Sequence, residues 1–295
     1  MITVFSKRKD KPHAYGFNET NMPPFTPIEI SISPDGSKWV SMFDQPDLEK
    51  IYVHSHDVAN ATLTDTYQKI GINDGQSLIS SSYEQRDIKM SVLFWGMNAN
   101  DMKLAYDALQ RFFISREAYW ICFSDWPQRM YYVKAKQITP SYVGDRGYYC
   151  DVTFTDQIGL SRSVGTTTDF VVGFGNIQPV DRPNYVFSTS KFTVVNMSDV
   201  LVDPEKRGHS FKMTLKGSSS SDMTITNSTT NLSITRKGGW SGEWCLNGTN
   251  PELNGQPDGI NTDHGIITLQ KGNNDFIVTG FSGTITFDFP LWWLS

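Results

Sequence analysis

The chain has 295 residues, of which 38% are hydrophobic and 13% aromatic. This amount of apolar material can form a sizeable core, and the length is typical of two domains or of one large all-β domain. The formal net charge is -5, and no cluster of Lys and Arg resembles the basic surface that binds a phosphate backbone. We therefore expect neither a disordered chain nor a nucleic-acid partner.

Cysteine content and hydropathy bear on the cellular compartment. Cys122, Cys150 and Cys245 include no closely spaced pair of the kind that binds zinc or carries out redox chemistry. No apolar run is long enough to cross a bilayer, and the basic run SKRKDK is not followed by the apolar segment of a secretion signal. These features predict a protein that folds in a reducing cytoplasm and does not insert into a membrane.

Residues 1–156 have the pattern of strands around one helix. In PIEISISPDGSKWVSMF, the alternating isoleucines and the Pro-Asp-Gly-Ser turn predict a β-hairpin. In RDIKMSVLFWG, every second residue from Ile88 to Phe94 is apolar, which predicts a strand with one buried face. Three further strands follow the helix, so this part is predicted to be an antiparallel sheet or small barrel that carries one helix.

The helix is predicted within NANDMKLAYDALQRFFISR, with Asn98 or Asn100 as its N-cap and Asp101 in the first turn, where the helix dipole favours an acid. Its apolar residues fall on one stripe: Met102, Ala105, Leu109, Phe112 and Phe113. We expect this stripe to pack on the sheet.

Residues 157–182 are rich in Gly, Ser, Thr and Pro and are predicted to be a linker. Beyond them, residues 183–295 contain short alternating segments separated by Gly, Asn and Ser, and no convincing helix. Several such strands at regular spacing predict a β-sandwich.

Two motifs could bind a metal. His54 and His56 would share a face of a strand, although no third ligand is evident and a polar strand face explains the pair equally well. The segment NTDHG, residues 261–265, has oxygen ligands at alternate positions, but Gly272 stands where a calcium loop needs a bidentate Glu. A polar turn is the favoured interpretation, and no metal or cofactor is predicted.

Catalytic patterns are weaker still. Ser241 lies in GGWSGE, whose spacing does not fit the nucleophile elbow of a serine hydrolase. Asp203 and Glu205 could act as acid and base with His209, but a polar turn that contains a proline is the ordinary interpretation. We therefore predict no enzymatic activity.

Trp240, Glu243 and Trp244 in GGWSGEWC are the candidate carbohydrate-binding residues. The two tryptophans share one face of an extended strand. Exposed, they would form a stacking platform for sugars; buried, they would belong to the core or to a partner interface. The loop 246–265 is long enough to carry a function, but its length does not identify a ligand.

Taken together, the order of elements resembles the distal tail proteins of long-tailed phages. The resemblance rests on RDIKMSVLFWG, LAYDALQRFF, AYWICFSDWPQRMYYVKA and CDVTFTD, and on MTITNSTTNLSI, IITLQKGNNDFIVTG and the aromatic end of the chain. It implies a tail-tube-like β-barrel domain that forms a hexameric ring, followed by a galectin-like β-sandwich that projects outwards. Within the sugar-binding pattern of galectins, Trp240 and Glu243 are present, but Cys245 stands at the arginine position.

The resemblance implies a structural protein of the virion, located at the tail tip or baseplate and assembled in the host cytoplasm. Its expected partners are further copies of itself, the tail tube protein, a tail-tip protein and receptor-binding or accessory baseplate proteins. The alternative is a module of the baseplate that binds host-surface carbohydrate or a receptor.

The segment SGTITFDFPLWWLS raises a separate question about packing. Alternation of Ile285, Phe287 and Phe289 with polar neighbours predicts a half-buried last strand, and Pro290 ends its regular pairing or places it at an edge. Trp292 and Trp293 are adjacent, so in an extended chain they face opposite ways, one towards the core and the other towards solvent, a neighbouring domain or a ring partner.

Overall fold

The structure is a computed structural model that describes residues 2–11, 15–17, 22–72, 74–169 and 183–295. The chain divides into two compact units. The first contains Met1–Val164 together with Leu294–Ser295, and the second contains Gly165–Trp293. Within the predicted linker 157–182, residues 170–182 lie outside the described residues, while Ser161–Ser163 form a strand. The boundaries 1–156, 157–182 and 183–295 stay a prediction.

The described residues of the first unit form twelve strands and one α-helix, α1 (Ala99–Phe113). The strands are β1 (Tyr15–Phe17), β2 (Met22–Phe25), β3 (Ile30–Ser33), β4 (Val40–Ser41), β5 (Ile51–Val58), β6 (Leu63–Gln68), β7 (Ser77–Tyr83), β8 (Arg86–Trp95), β9 (Tyr119–Phe123), β10 (Arg129–Val143), β11 (Gly147–Asp156) and β12 (Ser161–Ser163). Short 3₁₀ helices at Met42–Asp44 and Pro46–Leu48 follow β4.

The main sheet of this unit is antiparallel and curls back on itself. Its strand order is β4-β3-β9-β10-β11-β8-β5, and β12 pairs with the start of β10. Ile28, just before β3, forms a bridge with Val53 in β5, and its N–H donates to the Val53 carbonyl at 2.9 Å. This bridge connects the segment before β3 to the β5 edge of the sheet, an arrangement that fits the barrel alternative of the prediction.

Alternation along β8 and the stripe of α1 together build the core of the first unit. Ile88, Met90 and Val92 are fully buried in β8. The Asn98 side chain caps α1 by accepting hydrogen bonds from the N–H groups of Asn100 and Asp101. The helix buries Met102, Ala105, Ala108, Leu109 and Phe113 in the same cluster as the sheet residues. Both the capped helix and the half-buried strand were predicted from the sequence.

The second unit contains strands alone apart from a 3₁₀ helix, Gly259–Asn261, among its described residues. The strands are β13 (Val186–Phe187), β14 (Lys191–Asn196), β15 (Lys212–Ser219), β16 (Met223–Asn227), β17 (Leu232–Arg236), β18 (Trp240–Asn247), β19 (Asn250–Leu253), β20 (Gln256–Pro257), β21 (Gly272–Thr279), β22 (Ser282–Asp288) and β23 (Trp292–Trp293).

Two antiparallel sheets give this unit the predicted sandwich. One has the order β13-β22-β15-β18-β19-β20 and the other β14-β21-β16-β17. Their facing side chains, among them Phe276 and Phe287, form one apolar cluster. Burial of alternate residues in β22 confirms the predicted last strand of the sandwich. The chain as a whole is mainly β, as the sequence predicts.

The two terminal tryptophans are both buried. Trp293 belongs to the core of the second unit, while the Trp292 ring stacks on His209 with 4.9 Å between the ring centres. The Trp292 N–H donates to Ser198 Oγ at 3.1 Å, and its carbonyl accepts from the Asp199 N–H at 2.8 Å. Adjacent tryptophans therefore have different surroundings, as predicted, but neither ring faces solvent.

Candidate assembly interface

The hairpin of β6 and β7 forms a separate two-stranded sheet, as β1 and β2 also do. These strands pair with each other and, among the described residues, with no third strand. Leu63 lies opposite Tyr83 and Tyr67 lies opposite Leu78, with a shift of register between Thr66 and Tyr67. The hairpin therefore leaves the outer edge of both strands unpaired in the described chain.

Apolar side chains on this hairpin and its turn are open to solvent. Each of the following is more than half exposed: Leu63, Tyr67, Ile70, Ile72, Leu78 and Ile79. An isolated two-stranded hairpin is marginally stable in water, and exposed apolar strands with free edges are sites at which another chain adds. Concentrated exposure of this kind marks an interaction surface. We call residues 63–83, apart from the undescribed residue 73, the interface hairpin.

Sequence reasoning did not single out this hairpin. The segment from Leu63 to Tyr83 has few apolar residues per strand, and hydroxyl residues separate them, so no buried face stands out. The register shift between Thr66 and Tyr67 also breaks the alternation that marks a half-buried strand. A usable signal was the Asn-Asp-Gly turn between two Ser/Thr-rich extended segments, which is typical of a hairpin.

The candidate carbohydrate residues occupy two different environments. Trp244 is fully buried and its indole N–H donates to Asp258 Oδ2 at 3.1 Å, while the Trp240 ring stacks on Phe281 in the same core. Glu243 points away from them and pairs with Lys216 at 3.1 Å. Because a buried indole has no free face for a sugar, the geometry matches the core alternative. Saccharide binding by Trp240, Glu243 and Trp244 stays a prediction, and the burial of both indole rings does not favour it.

The two histidines of β5 do not act as a pair. The register with β8 shifts between Val53 and Ser55, which breaks the alternation that would place both rings on one face. His56 stacks on Phe123 with 4.0 Å between ring centres, and its Nε2 lies 2.9 Å from Asp125 Oδ2. His54 instead contacts the Phe25 ring, and burial lowers its pKa.

The turn that contains Asp203, Glu205 and His209 is held together by hydrogen bonds to the Asp203 side chain. The Asp203 carboxylate accepts from the N–H of Glu205 and of Lys206, each at 3.0 Å. The Asp203 N–H in turn donates to His209 Nδ1 at 3.2 Å, and burial lowers the pKa of His209. These contacts describe the polar turn that the sequence favoured.

The segment 246–265, expected to be a long loop, instead contains the end of β18, β19 and β20, and Asp258 anchors it. Its carboxylate accepts from Arg236 Nε at 3.0 Å, from Trp244 Nε1 and from Asn261 Nδ2 at 2.6 Å. Burial by itself would raise the pKa of Asp258, but the hydrogen bond from Asn261 and the bond and charge of Arg236 outweigh it and lower that pKa. The nearby NTDHG segment is a turn in which Asp263 accepts backbone bonds from Thr235 and Gly265.

Within the described residues, potential metal ligands and cysteine thiols do not cluster into a site. No group of three or more His, Cys, Asp or Glu side chains within the described ranges is placed to hold a metal ion. Cys122, Cys150 and Cys245 are all buried and unpaired with one another, and burial raises the pKa of Cys150 to about 12. No helix in the described part of the chain has the length and hydropathy to cross a membrane.

Comparison with known proteins gives a match to the first unit and a match to the whole fold. Residues 38–148 match the family model of the phage tail protein RIFT-related domain. No curated protein sequence matches the chain. The Dit (gp 19.1) protein of phage SPP1, described as a paradigm of the hub adsorption apparatus in phages that infect Gram-positive bacteria, is 16% identical, with a TM-score of 0.61 over 90% of this chain and 99% of that one.

A chain from the phage p2 baseplate in its activated conformation with Sr is 12% identical and has a TM-score of 0.42 over 89% of this chain and 97% of that one. The fold assignment rests on the SPP1 protein. Residues 38–148 are thus similar to the phage tail protein RIFT-related domain, and the chain has the fold of SPP1 Dit, which confirms its resemblance to siphophage distal tail proteins.

Proposed function

We propose that this protein is a structural subunit of a phage tail tip, where copies of its first unit form a ring that joins the tail tube to the baseplate. The interface hairpin is the observation that carries this proposal. A surface with two free strand edges and exposed apolar side chains is suited to the head-to-tail contact that closes a ring of identical subunits. The RIFT-related match over residues 38–148 includes this hairpin and supports a tail role.

The ring is a hexamer, and the second unit is a galectin-like sandwich that projects from it. The two antiparallel sheets around one core support the sandwich, and the SPP1 Dit likeness, which extends over 90% of this chain, supports both units together. The partners are the tail tube protein, a tail-tip protein and receptor-binding or accessory baseplate proteins. The protein acts in the virion, after assembly in the host cytoplasm.

The role is assembly and not catalysis. The Asp203 carboxylate and His209 Nδ1 accept backbone bonds of a turn, and the Asp258 carboxylate accepts from three donors. A structural subunit needs interfaces and a stable core, which the exposed hairpin and the two buried clusters supply.

Leu78→Lys tests the proposal directly. Leu78 lies opposite Tyr67 on the interface hairpin and is more than half exposed, so the substitution leaves the monomer fold intact. A lysine buried at the subunit contact should weaken assembly by roughly 100-fold, or about 3 kcal/mol. Light scattering coupled to size-exclusion chromatography, with negative-stain electron microscopy, measures ring and monomer.

Ile260→Lys is the matched control, because Ile260 is 92% exposed on the second unit. This variant should form rings like the unmodified protein. The proposal fails if the unmodified protein stays monomeric at high concentration, or if Leu78→Lys assembles normally.

A further inference from the structure

The N-terminal segment, residues 2–11, lies on the first unit without forming a helix or strand. Its half-buried Val4 and Phe5 pack on a small apolar cluster distinct from the main core. The buried members of this cluster are Trp120, Cys122 and Met130, on β9 and β10. We call residues 2–11 the strap.

Two polar contacts of the strap meet on the buried carboxylate of Glu29. The Ser6 N–H donates to Glu29 Oε1 at 2.6 Å, and Lys11 Nζ donates to Glu29 Oε2, also at 2.6 Å. Within the described part of the chain, Ser6 is the one residue of 2–10 whose backbone N–H bonds to a group outside the strap. By contrast, each strand of the sheet below is held by a ladder of backbone bonds.

Glu29 is held rigidly where it can receive these donors. It directly precedes β3 and is 3% exposed. Its Oε1 also accepts from Ser41 Oγ at 2.6 Å, and its N–H donates to Ser124 Oγ at 2.8 Å. The carboxylate is therefore part of the folded sheet end, and the strap is the movable partner.

The contacts of the exposed residues Arg8 and Asp10 contribute less to holding the strap than the contacts with Glu29. Arg8 donates to the Phe43 carbonyl at 3.0 Å, but its closest charge partner, Asp10 at 2.9 Å, lies within the strap itself. Both residues are exposed, and an exposed ion pair contributes little to stability. Ser6 Oγ donates to Asp44, so the same residue makes the second firm contact of the strap.

We infer that the strap is a latch closed by the Glu29 carboxylate, and that its release uncovers the Trp120, Cys122 and Met130 cluster while the rest of the first unit stays folded. Opening the strap breaks side-chain contacts with Glu29 and Asp44, an exposed bond of Arg8, and the packing of Val4 and Phe5. Opening a strand breaks a whole ladder of backbone hydrogen bonds. Local openings of this kind occur at lower free energy than global unfolding. The inference concerns the first unit alone and does not depend on ring formation.

Cys122 reports this opening. Its thiol is fully buried in the cluster that the strap covers, and it donates weakly to the Pro127 carbonyl at 3.6 Å. Burial raises its pKa, so the covered thiol is unreactive towards alkylating reagents. Cys150 is buried in the main core of the first unit, and Cys245 is buried in β18 of the second unit. Labelling of each therefore reports global unfolding of its own unit.

The experiment compares iodoacetamide labelling of the full chain with that of Glu29→Gln, and peptide mass spectrometry identifies each labelled cysteine. The substituted amide keeps the shape of the side chain but loses the charge that binds Lys11 and the Ser6 N–H. Loss of one charge-assisted hydrogen bond corresponds to roughly a tenfold change in the opening equilibrium. We expect labelling of Cys122 to rise about tenfold or more, with Cys150 and Cys245 unchanged. Glu49→Gln, which alters a nearby exposed carboxylate, should label like the unmodified protein.

Two outcomes overturn the inference. In the first, Cys122 of Glu29→Gln is labelled at the same rate as in the unmodified protein. In the second, the labelling rates of all three cysteines rise together. Hydrogen exchange of the unmodified protein provides a test that needs no variant. The Ser6 amide should exchange at least about 100-fold faster than the Ile121 amide in β9, since strap opening precedes opening of the sheet. Equal protection of the two amides would show that no separate strap opening exists.

Discussion

Single buried charges fix the loops of this protein, and Asp258 is the clearest example. Three donors from Arg236, Trp244 and Asn261 meet on one carboxylate that is 3% exposed. The tryptophan that could have been a sugar platform is thereby tied into the core by its own N–H. The backbone of the same residue also holds the start of the segment that follows it, because the Asn261 N–H donates to the Asp258 main-chain carbonyl at 3.1 Å.

Asp258→Asn should lower the stability of the second unit by about 2–3 kcal/mol at pH 7, since a charged acceptor in a buried network is lost. The pKa of Asp258 is lowered in the folded protein, so its contribution is present above the ordinary aspartate pKa and is lost as the pH falls through the folded value. The difference in melting temperature between the unmodified protein and Asp258→Asn should therefore shrink below about pH 4. Differential scanning calorimetry from acidic to neutral pH measures it.

Glu205→Gln is the control, because Glu205 is an exposed carboxylate of the same unit. If the difference in melting temperature between Asp258→Asn and the unmodified protein did not change with pH, the proposed role of the Asp258 charge would be contradicted.

At the scale of elements, close approaches of backbone decide which turns can form. Gly280, between β21 and β22, has a φ of +72°, and a Cβ there would overlap the Asp222 carbonyl oxygen. Gly272, at the start of β21, has a φ of +84° but no atom within 4 Å of a built Cβ. The two positions share the left-handed backbone and differ in the space around them.

Gly280→Ala should destabilise the second unit by at least about 2 kcal/mol more than Gly272→Ala, whose cost is the roughly 1–2 kcal/mol of the left-handed conformation. Urea unfolding midpoints of the two variants give the difference. Equal losses would mean that the contact with Asp222 relaxes without cost.

Some elements were predictable from local chemistry and others were not. The cap at Asn98 predicts the start of α1, and the apolar alternation from Ile88 to Phe94 predicts β8, because the spacing of apolar residues indicates which face is buried. The bulge near Ser55 has no comparable signal, so the shared face of His54 and His56 was a wrong expectation of regular alternation. The interface hairpin was missed because hydroxyl residues separate its few apolar residues and the register shift between Thr66 and Tyr67 breaks their alternation.

At the scale of the whole molecule, the chain end belongs to the folded structure and not to a frayed tail. Leu291 and Trp293 lie in the core of the second unit, and Trp292 is 5% exposed. Leu294 and Ser295 belong to the first unit, where the Leu294 carbonyl accepts from the buried Arg86 at 2.6 Å. Sequence alternation predicted the strand that precedes this end. It could not predict that both tryptophans are buried, because Pro290 interrupts the pattern.

Truncation after Pro290 should remove more than about 5 kcal/mol of stability, since a single buried tryptophan or leucine accounts for about 2–5 kcal/mol. That loss is comparable with the whole stability of a domain, so the second unit should unfold. Near-ultraviolet circular dichroism and limited proteolysis detect the loss of packing. Leu294→Ala, which alters a 42% exposed side chain, should leave the melting temperature within a few degrees of the unmodified value. A truncated protein that melts with the full chain would show that the end is dispensable.

The interface hairpin also sets a condition on the life of the free subunit. Before assembly, its two open edges accept a strand from any neighbouring chain, and its exposed isoleucines and leucines favour such additions. Closure of the proposed ring would remove that hazard, whereas open-ended addition of strands would not. Aggregation of the free subunit should therefore increase with its concentration. Overproduction without its partners should favour precipitation, and co-expression with them should favour soluble protein.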